Sequence, residues 1–213
     1  MSDATDWTLA QQACLDLGRL LFGTLFALRV EGAERIPRHG GALIVCNHPT
    51  VLDPLLLTLA LPRAASHLVK RLPAGFASIT AFYDVFDCIQ MGSGREALLA
   101  VKECRRVLDR GRLLVIFPEG GVSDRGRVRA FQTGAARLAL ASGCPVVPAA
   151  VCGSYAAMPA GATLPRPAPV TVRYGPLLRF ARGHGVGAVT AVGRVMRAAV
   201  QRLYEQGEPR RAR

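Results

Sequence analysis

Two loops of the sequence carry side chains that can move a proton or hold a polar substrate. The first contains His48 and Asp53, and the second contains Glu119 within the segment Phe117-Pro-Glu-Gly-Gly121. A carboxylate beside an imidazole fixes its tautomer and stabilises the imidazolium, so such a pair is a competent general base near neutral pH. The alternative for the first loop is structural, with the histidine bonded to backbone and Asp53 only capping a helix.

The spacing of His48 and Asp53 restricts how the two side chains can meet. Five residues apart on one helix, they would point about 140° away from each other, at roughly 100° per residue. They meet only if His48 lies in a loop and Asp53 in the first turn of the helix that follows. The sequence fits this arrangement, because Thr50 and Asp53 form a T-x-x-D capping signature, or Asp53 itself caps with Pro54 at the first helical position.

The sequence offers the pair no nucleophile of its own. It contains neither a G-x-S-x-G elbow nor a phosphate-binding P-loop, and Cys46 ends an apolar run that indicates a buried strand. A histidine–aspartate pair without a serine can still activate a hydroxyl that the substrate supplies. The residues therefore predict direct transfer of a group to an alcohol.

Apolar runs and periodic segments predict the elements that position these loops. The predicted strands are residues 28–32, 42–46, 113–117, 145–151 and 170–174. The predicted helices are residues 7–28, 54–61, 97–109, 132–142 and 187–204, with a capping box at Ser93-Gly-Arg-Glu96. Nearly uninterrupted apolar strands that alternate with helices predict an α/β domain with a mainly parallel central sheet flanked by helices. Both loops then follow the carboxyl end of a strand, where such sheets hold their sites.

Two sequence blocks resemble the glycerolipid acyltransferase superfamily, which includes the 1-acylglycerol-3-phosphate acyltransferases (PlsC-like enzymes). The segment Asn47-His-Pro-Thr-Val-Leu-Asp53-Pro54 resembles the N-H-x-x-x-x-D block of that family. The second loop is similar to the family's F-P-E-G block, whose later positions match Ser123, Gly126, Phe131 and Gly134. Two further segments resemble family positions in the right order: Leu68-Val-Lys70 and Val146-Val-Pro-Ala-Ala-Val-Cys-Gly153. The resemblance covers residues 28–175 and implies a PlsC-like fold.

The resemblance also implies a reaction and the roles of individual residues. His48 takes the proton of an acceptor hydroxyl, Asp53 orients the imidazole, and the oxygen attacks the thioester of acyl-CoA or acyl carrier protein. The expected substrate-binding residues are Asn47, Lys70, Glu119 and Gly120. The acceptor is a lysolipid such as 1-acylglycerol-3-phosphate, and no cofactor is expected beyond the acyl donor. No metal site is expected either, since the histidines and cysteines lack zinc-ligand spacing.

Three positions depart from the family pattern and bear on the acceptor. Val122, Met91 and Gln132 stand where relatives carry cations that bind the acceptor's phosphate. Cations that can compensate elsewhere are Lys70, Arg71, Arg95, Arg125 and Arg127. The alternatives are acylation of a lipid alcohol without a phosphate, such as a lyso-aminolipid, and a catalytically weak lipid-binding protein of the same fold.

Composition and charge indicate a folded, strongly basic protein. The 213 residues carry 27 Lys and Arg against 15 Asp and Glu, a formal net charge of +12, and half are hydrophobic, which excludes disorder for the body of the chain. Such a charge attracts phosphate-rich partners, although a merely solvated basic surface is the alternative. Nucleic acid is not the expected partner, because the aromatic residues do not interleave with the basic ones. Six single cysteines without a C-x-x-C pair indicate small buried hydrophobes in a reducing compartment.

The amphipathic segment at the start of the chain indicates contact with a membrane. Trp7 at one end and Phe22 and Phe26 at the other suit an interfacial anchor, the alternative being a helix packed on the protein's own core. We expect three parts: a membrane-interface helix over residues 1–30, an acyltransferase domain over 31–206 and a basic tail over 207–213. The expected location is the cytoplasmic face of the inner membrane, as a peripheral or monotopic protein.

Overall fold

A seven-stranded sheet forms the centre of the computed structural model, which describes residues 7–70 and 82–207. The strands are β1 (Arg29–Glu31), β2 (Ala42–Cys46), β3 (Ala65–Lys70), β4 (Ile89–Met91), β5 (Leu113–Ile116), β6 (Val146–Cys152) and β7 (Thr171–Tyr174). Their order across the sheet is β1-β7-β6-β2-β5-β3-β4. The five strands from β6 to β4 run parallel, and β7 and β1 run the opposite way. The predicted mainly parallel sheet is confirmed.

Helices cover both faces of the sheet. They are α1 (Leu9–Leu25), α2 (Asp53–Leu59), α3 (Arg95–Asp109), α4 (Thr133–Ser142), α5 (Ser154–Ala157) and α6 (Val186–Gly207), with a 3-10 turn at Ala33–Arg35. Successive residues of a strand point to opposite faces. Leu43 and Val45 of β2 therefore pack with α3, α4 and α6, whereas Ile44 packs with α2 and with Phe26. Both faces of the central strands are buried under helices, which explains why these strands are nearly continuous apolar runs.

The N-terminal helix α1 has two apolar faces. One face buries Leu15 against Leu59 of α2 and against Phe86, and a capping box between Thr8 and Gln11 begins the helix. The opposite face leaves four leucines largely exposed, namely Leu9, Leu17, Leu20 and Leu21. Within the described residues no helix is both long and apolar enough to span a bilayer. The predicted helix is confirmed, and part of it packs on the protein's own core.

The structure differs from the sequence-based predictions at three places. The strands β3 and β4 were not predicted, because His67 and Ser66 interrupt the apolar pattern of β3 and β4 is only three residues long. The capping box at residues 93–96 does not form, since α3 begins at Arg95 behind Gly94, which has a φ of 55°. Cys14 is exposed, whereas burial was expected for the cysteines.

The predicted basic tail lies outside the described residues apart from Gly207, where α6 ends.

Candidate active site

The loops after β2 and β5 lie side by side, because these two strands are neighbours in the sheet. The N–H of Ser123 donates to the carbonyl of His48 at 2.8 Å, which ties one loop to the other. His48 lies in the first loop and Asp53 opens α2, so the two side chains meet as the spacing requires. Nδ1 of His48 is 3.0 Å from Oδ2 of Asp53. The arrangement is that of an imidazole held by a carboxylate.

Asp53 is fully buried and accepts hydrogen bonds on both carboxylate oxygens. The backbone N–H of Thr50 donates to Oδ2 at 2.6 Å, so the first and last residues of the T-x-x-D segment are hydrogen-bonded to each other. The hydroxyls of Ser154 and Thr50 donate to Oδ1 at 2.7 Å and 3.3 Å. These donors fix the carboxylate and compensate for the loss of water around a buried charge.

The contact to Ser154 was not predicted from the sequence. Ser154 begins the short helix α5 after β6, and its side chain is completely buried. It lies 101 residues from Asp53 in the chain, so no local pattern connects the two. The family-like segment that ends at Gly153, one residue earlier, was the nearest signal in the sequence.

The hydrogen-bond pattern assigns a tautomer to His48. A carboxylate can only accept, so Nδ1 carries the hydrogen and Nε2 keeps the lone pair of a base. The ring stacks on Phe117, with ring centres 4.4 Å apart and planes 28° apart. Its side chain is 14% exposed and lines a large cavity. In this geometry, the imidazole of His48 can act as a base towards a molecule in the cavity.

Glu119 supports the first loop from the second. Its Oε1 accepts the backbone N–H of His48 at 3.3 Å, and the side chain is buried. Burial raises the pKa of the Glu119 carboxyl above its usual range, while the His48 N–H and the positive charge of Arg129 act in the opposite direction. The other oxygen, Oε2, is buried and has no hydrogen-bond partner among the described residues. Glu119 therefore positions the backbone that carries the base.

Asn47 lies behind the pair and joins β2 to β6. Its Oδ1 accepts the N–H of Val151 at 2.8 Å, and its Nδ2 donates to the carbonyl of the same residue at 3.1 Å. The side chain is buried, so both of its polar groups serve the backbone. Cys46 beside it is also buried, and burial raises the pKa of its thiol far above the usual value. A thiol in this state is not a nucleophile.

A cavity of about 1390 Å³ begins at His48. Lys70 and Gly120, two of the predicted substrate-binding residues, line it, and Lys70 is exposed. Gly120 has a φ of 72°, in the left-handed region that favours glycine. Most of the lining is apolar, as an acyl chain requires.

The three residues that replace the family's cations, Met91, Val122 and Gln132, also line the cavity. Of the five compensating cations expected, Lys70 lines it as well, whereas Arg71 lies outside the described residues. Arg129 was not predicted: its guanidinium donates to the carbonyl of Val122 at 3.0 Å. This places a positive charge beside the loop that lacks its usual arginine.

Within the described ranges, no three side chains of the metal-ligating types form a cluster that could hold an ion. The candidate chemistry of this site lies in His48 and Asp53.

A family model described as Acyltransferase matches residues 27–152, more than half of the chain. The chain belongs to the acyltransferase family. The match spans both loops, from before β1 to the end of β6, and includes His48, Asp53 and Glu119. The resemblance to PlsC-like enzymes is thereby confirmed.

Curated relatives and a solved structure agree with this membership. The acyltransferase is 29% identical over 161 residues to a 1-acyl-sn-glycerol-3-phosphate acyltransferase of Cocos nucifera, covering 74% of this chain and 52% of that one. It is 31% identical over 144 residues to the enzyme of the same name from Borreliella burgdorferi, covering 66% and 56%. The chain thus spans about half the length of these relatives.

The crystal structure of the 1-acyl-sn-glycerophosphate (LPA) acyltransferase PlsC from Thermotoga maritima has the same fold. Its TM-score is 0.72 over 91% of this chain and 79% of that chain, at 23% identity. The predicted PlsC-like α/β fold is confirmed.

Proposed function

We propose that the acyltransferase moves a fatty acyl group from a thioester to the hydroxyl of a lysolipid. The observation that carries this proposal is the His48–Asp53 pair at 3.0 Å, facing a large and mostly apolar cavity. Family membership supplies the reaction class. The sequence has no G-x-S-x-G elbow, and burial raises the pKa of the Cys46 thiol beside the site, so direct transfer is favoured over an acyl-enzyme.

In the proposed reaction His48 acts as the general base. Nε2 takes the proton of the acceptor hydroxyl as its oxygen attacks the carbonyl carbon of the thioester. A carbon–oxygen bond forms and the carbon–sulfur bond breaks, and the thiolate leaves with the electron pair of that bond. A thiol has a pKa of about 8.5, so the thiolate leaves without a strong acid, and the proton on His48 then passes to the thiolate or to solvent. Asp53 stabilises the imidazolium throughout.

The proposed acceptor is lysophosphatidic acid, the acceptor in the names of the curated relatives. Gly120 lines the acceptor side of the cavity, while Glu119 holds the His48 backbone from behind it and Asn47 positions the β2 end of the site. Lys70, which pairs with Met91 across β3 and β4, and Arg129, which donates to the carbonyl of Val122, are the proposed replacements for the lost cations. If these replacements do not suffice, a lysolipid with another headgroup or a lyso-aminolipid becomes the acceptor.

The proposed location is the cytoplasmic face of the cell membrane, with the exposed leucines of α1 in the lipid interface. A helix whose one face packs on its own domain and whose other face exposes leucines suits a peripheral or monotopic protein. Lysolipid acceptors reside in that interface, whereas acyl-CoA and acyl carrier protein are soluble donors.

The function is tested by thiol release from palmitoyl-CoA and from palmitoyl-acyl carrier protein with a panel of acceptors. The panel holds lysophosphatidic acid, glycerol 3-phosphate, lysophospholipids with larger headgroups and lyso-aminolipids, with the product identified by mass spectrometry. We expect thiol release with lysophosphatidic acid and formation of the diacyl product. Vesicle binding without product from any acceptor or donor would contradict transfer and support a lipid-binding protein.

A further inference from the structure

The cavity at His48 extends onto both faces of the sheet. On the α2 face it is lined by Leu55, Phe82 and Tyr83, the first two of which belong to the apolar cluster beneath α1. On the other face it continues between α3 and α4, where Cys104 and Leu138 belong to the opposite cluster. His48 lies where the two parts meet. A substrate with two long arms fits such a space.

Most of the charged lining residues lie on one of these two parts. Among the described residues, the lining contains five cations and no carboxylate. Lys70 is at the end of β3, and the other four lie along the α3–α4 part: Lys102, Arg105, Arg106 and Arg137. Residues 102, 105 and 106 share one face of α3 by their i, i+3 and i+4 spacing. This part of the cavity is therefore apolar inside and positively charged at its rim.

The ion pairs on α3 do not neutralise this rim. Arg106 pairs with Glu103, and Arg105 pairs with Asp109; these four side chains are partly or largely in solvent, where such pairs are weak. Arg105 also donates to the carbonyl of Ala141 on α4 at 2.8 Å, which fixes its guanidinium at the rim. Glu103 and Asp109 do not line the cavity. The rim keeps the capacity to bind an anion.

The rim extends away from the level of His48. The N–H of Gln132, just before α4, donates to the carbonyl of Pro118 in the second loop, so α4 starts at the level of the active site. Arg137 lies about one turn along α4 from Thr133, and Ala141, which Arg105 of α3 contacts, lies about 12 Å along the same helix. In a lysophosphatidic acid the phosphate is attached to the carbon next to the one bearing the reacting hydroxyl. The distant rim suits an anion separated from the reacting atoms by a long spacer.

We propose that the α3–α4 part of the cavity binds the phosphopantetheine arm of the acyl donor, with its phosphate on Lys102, Arg106 and Arg137. The inference rests on the proposed function, because it requires a thioester at His48. The arm crosses the apolar interior between the helices, the thioester reaches His48, and the uncharged α2 part remains for an aliphatic chain. Coenzyme A and acyl carrier protein share this arm, so both fit the site.

The first test removes three rim charges while it keeps Arg105. We compare Lys102→Gln/Arg106→Gln/Arg137→Gln with Arg179→Gln/Arg194→Gln/Arg202→Gln, a matched control at exposed positions outside the cavity lining. For palmitoyl-CoA we expect kcat/KM to fall by at least about tenfold in the rim variant, because charge-assisted bonds to phosphate are lost. For S-palmitoyl-N-acetylcysteamine, which lacks the phosphate, the two variants should match the wild type, and the KM of the acceptor should not change. An equal fall for both thioesters would overturn the inference.

Palmitoyl-acyl carrier protein separates the two sources of the phosphate. A fall with both donors assigns the rim to the shared phosphopantetheine phosphate. A fall with palmitoyl-CoA alone would overturn that assignment, because the nucleotide phosphates would then be the partner of the rim.

Binding of coenzyme A separates this inference from the proposed function. The titration uses His48→Ala protein with and without the three rim substitutions, so that no turnover is needed. We expect the rim substitutions to weaken binding by at least about tenfold. If binding is unchanged and the wild type still transfers the acyl group, the donor site at the rim is contradicted and the proposed function is not. If the rim substitutions weaken binding but the wild type transfers no acyl group, the donor site is supported and the proposed function is contradicted.

Discussion

The orientation of one imidazole decides whether this site can act. Nδ1 of His48 contacts Asp53, and the ring rests on Phe117 while Glu119 holds the backbone. Asp53 is in turn fixed by the hydroxyl of Ser154. These contacts hold the ring that lines the cavity, so the proposed catalysis would depend on residues behind His48 as well as on His48 itself.

We therefore expect Ser154→Ala to lower kcat by about ten- to a hundredfold with little change in KM. A hydrogen bond to a charged group contributes about 1.5–3 kcal/mol, and its loss loosens Asp53 and with it His48. Ser154→Thr, which keeps the hydroxyl, should recover part of the activity. The matched control is Ser142→Ala, a buried serine whose hydroxyl donates to the carbonyl of Ala139. Equal losses of kcat in both alanine variants would contradict a positioning role.

Much of this site was predictable, because its main parts lie in short sequence segments. The five-residue spacing required His48 in a loop and Asp53 at a helix start, and the structure has both. The role of Ser154 depends instead on the approach of α5 to α2 across the end of the sheet. Arg129 similarly reaches Val122 through a turn of the second loop. Contacts of this kind follow from tertiary structure and leave no pattern in the sequence.

At the scale of elements, α1 has one side buried in the domain and one side of exposed leucines. Gln11, Leu15 and Gly18 face α2 and the residues around Phe86, and the exposed leucines occupy the opposite face. Core packing therefore accounts for one side of the helix, and the proposed membrane contact concerns only the other side.

We predict that Leu17→Ser/Leu20→Ser/Leu21→Ser lowers the affinity for vesicles containing anionic lipid by at least about tenfold. Burying a leucine in an apolar phase contributes about 1.5–3 kcal/mol, and three are removed here. Co-sedimentation measures the effect. The control is Leu98→Ser/Leu99→Ser/Leu164→Ser, three leucines exposed elsewhere. If the two variants bind equally well, α1 is not the membrane contact.

The elements themselves were predictable to different degrees. β2, β5 and β6 are fully buried, and their continuous apolar runs identified them. β3 is largely buried too, but it carries His67 in its middle. Nε2 of His67 is hydrogen-bonded to the hydroxyl oxygen of Thr58 at 2.8 Å. Because that partner lies on α2, the polar residue could be recognised as part of a core strand only in the folded protein.

At the scale of the whole molecule, His67 couples folding to pH. Its side chain is fully buried, and burial lowers its pKa from 6.5 to about 3. The unfolded chain therefore binds a proton between about pH 6.5 and 3 that the folded chain does not. The stability that the neutral histidine contributes is complete above pH 6.5 and is lost as the pH falls towards 3.

We expect the free energy of unfolding to fall by up to about 1.4 kcal/mol per pH unit from this group over that window. His67→Gln, which can still donate to Thr58, should unfold with a smaller dependence on pH. Urea titrations at several pH values measure the difference, with the exposed His39→Gln as the control. Identical slopes for the wild type and His67→Gln would contradict this source of acid sensitivity.

His48 is the proposed base for acyl transfer. The most direct measurement is the rate of thiol release from palmitoyl-CoA with lysophosphatidic acid, for His48→Ala beside the wild type and the exposed control His184→Ala. We predict a loss of about 10²–10⁴-fold for His48→Ala alone, since a general base typically contributes that much, with the fold retained by circular dichroism. A folded His48→Ala protein that keeps most of its activity would contradict the account.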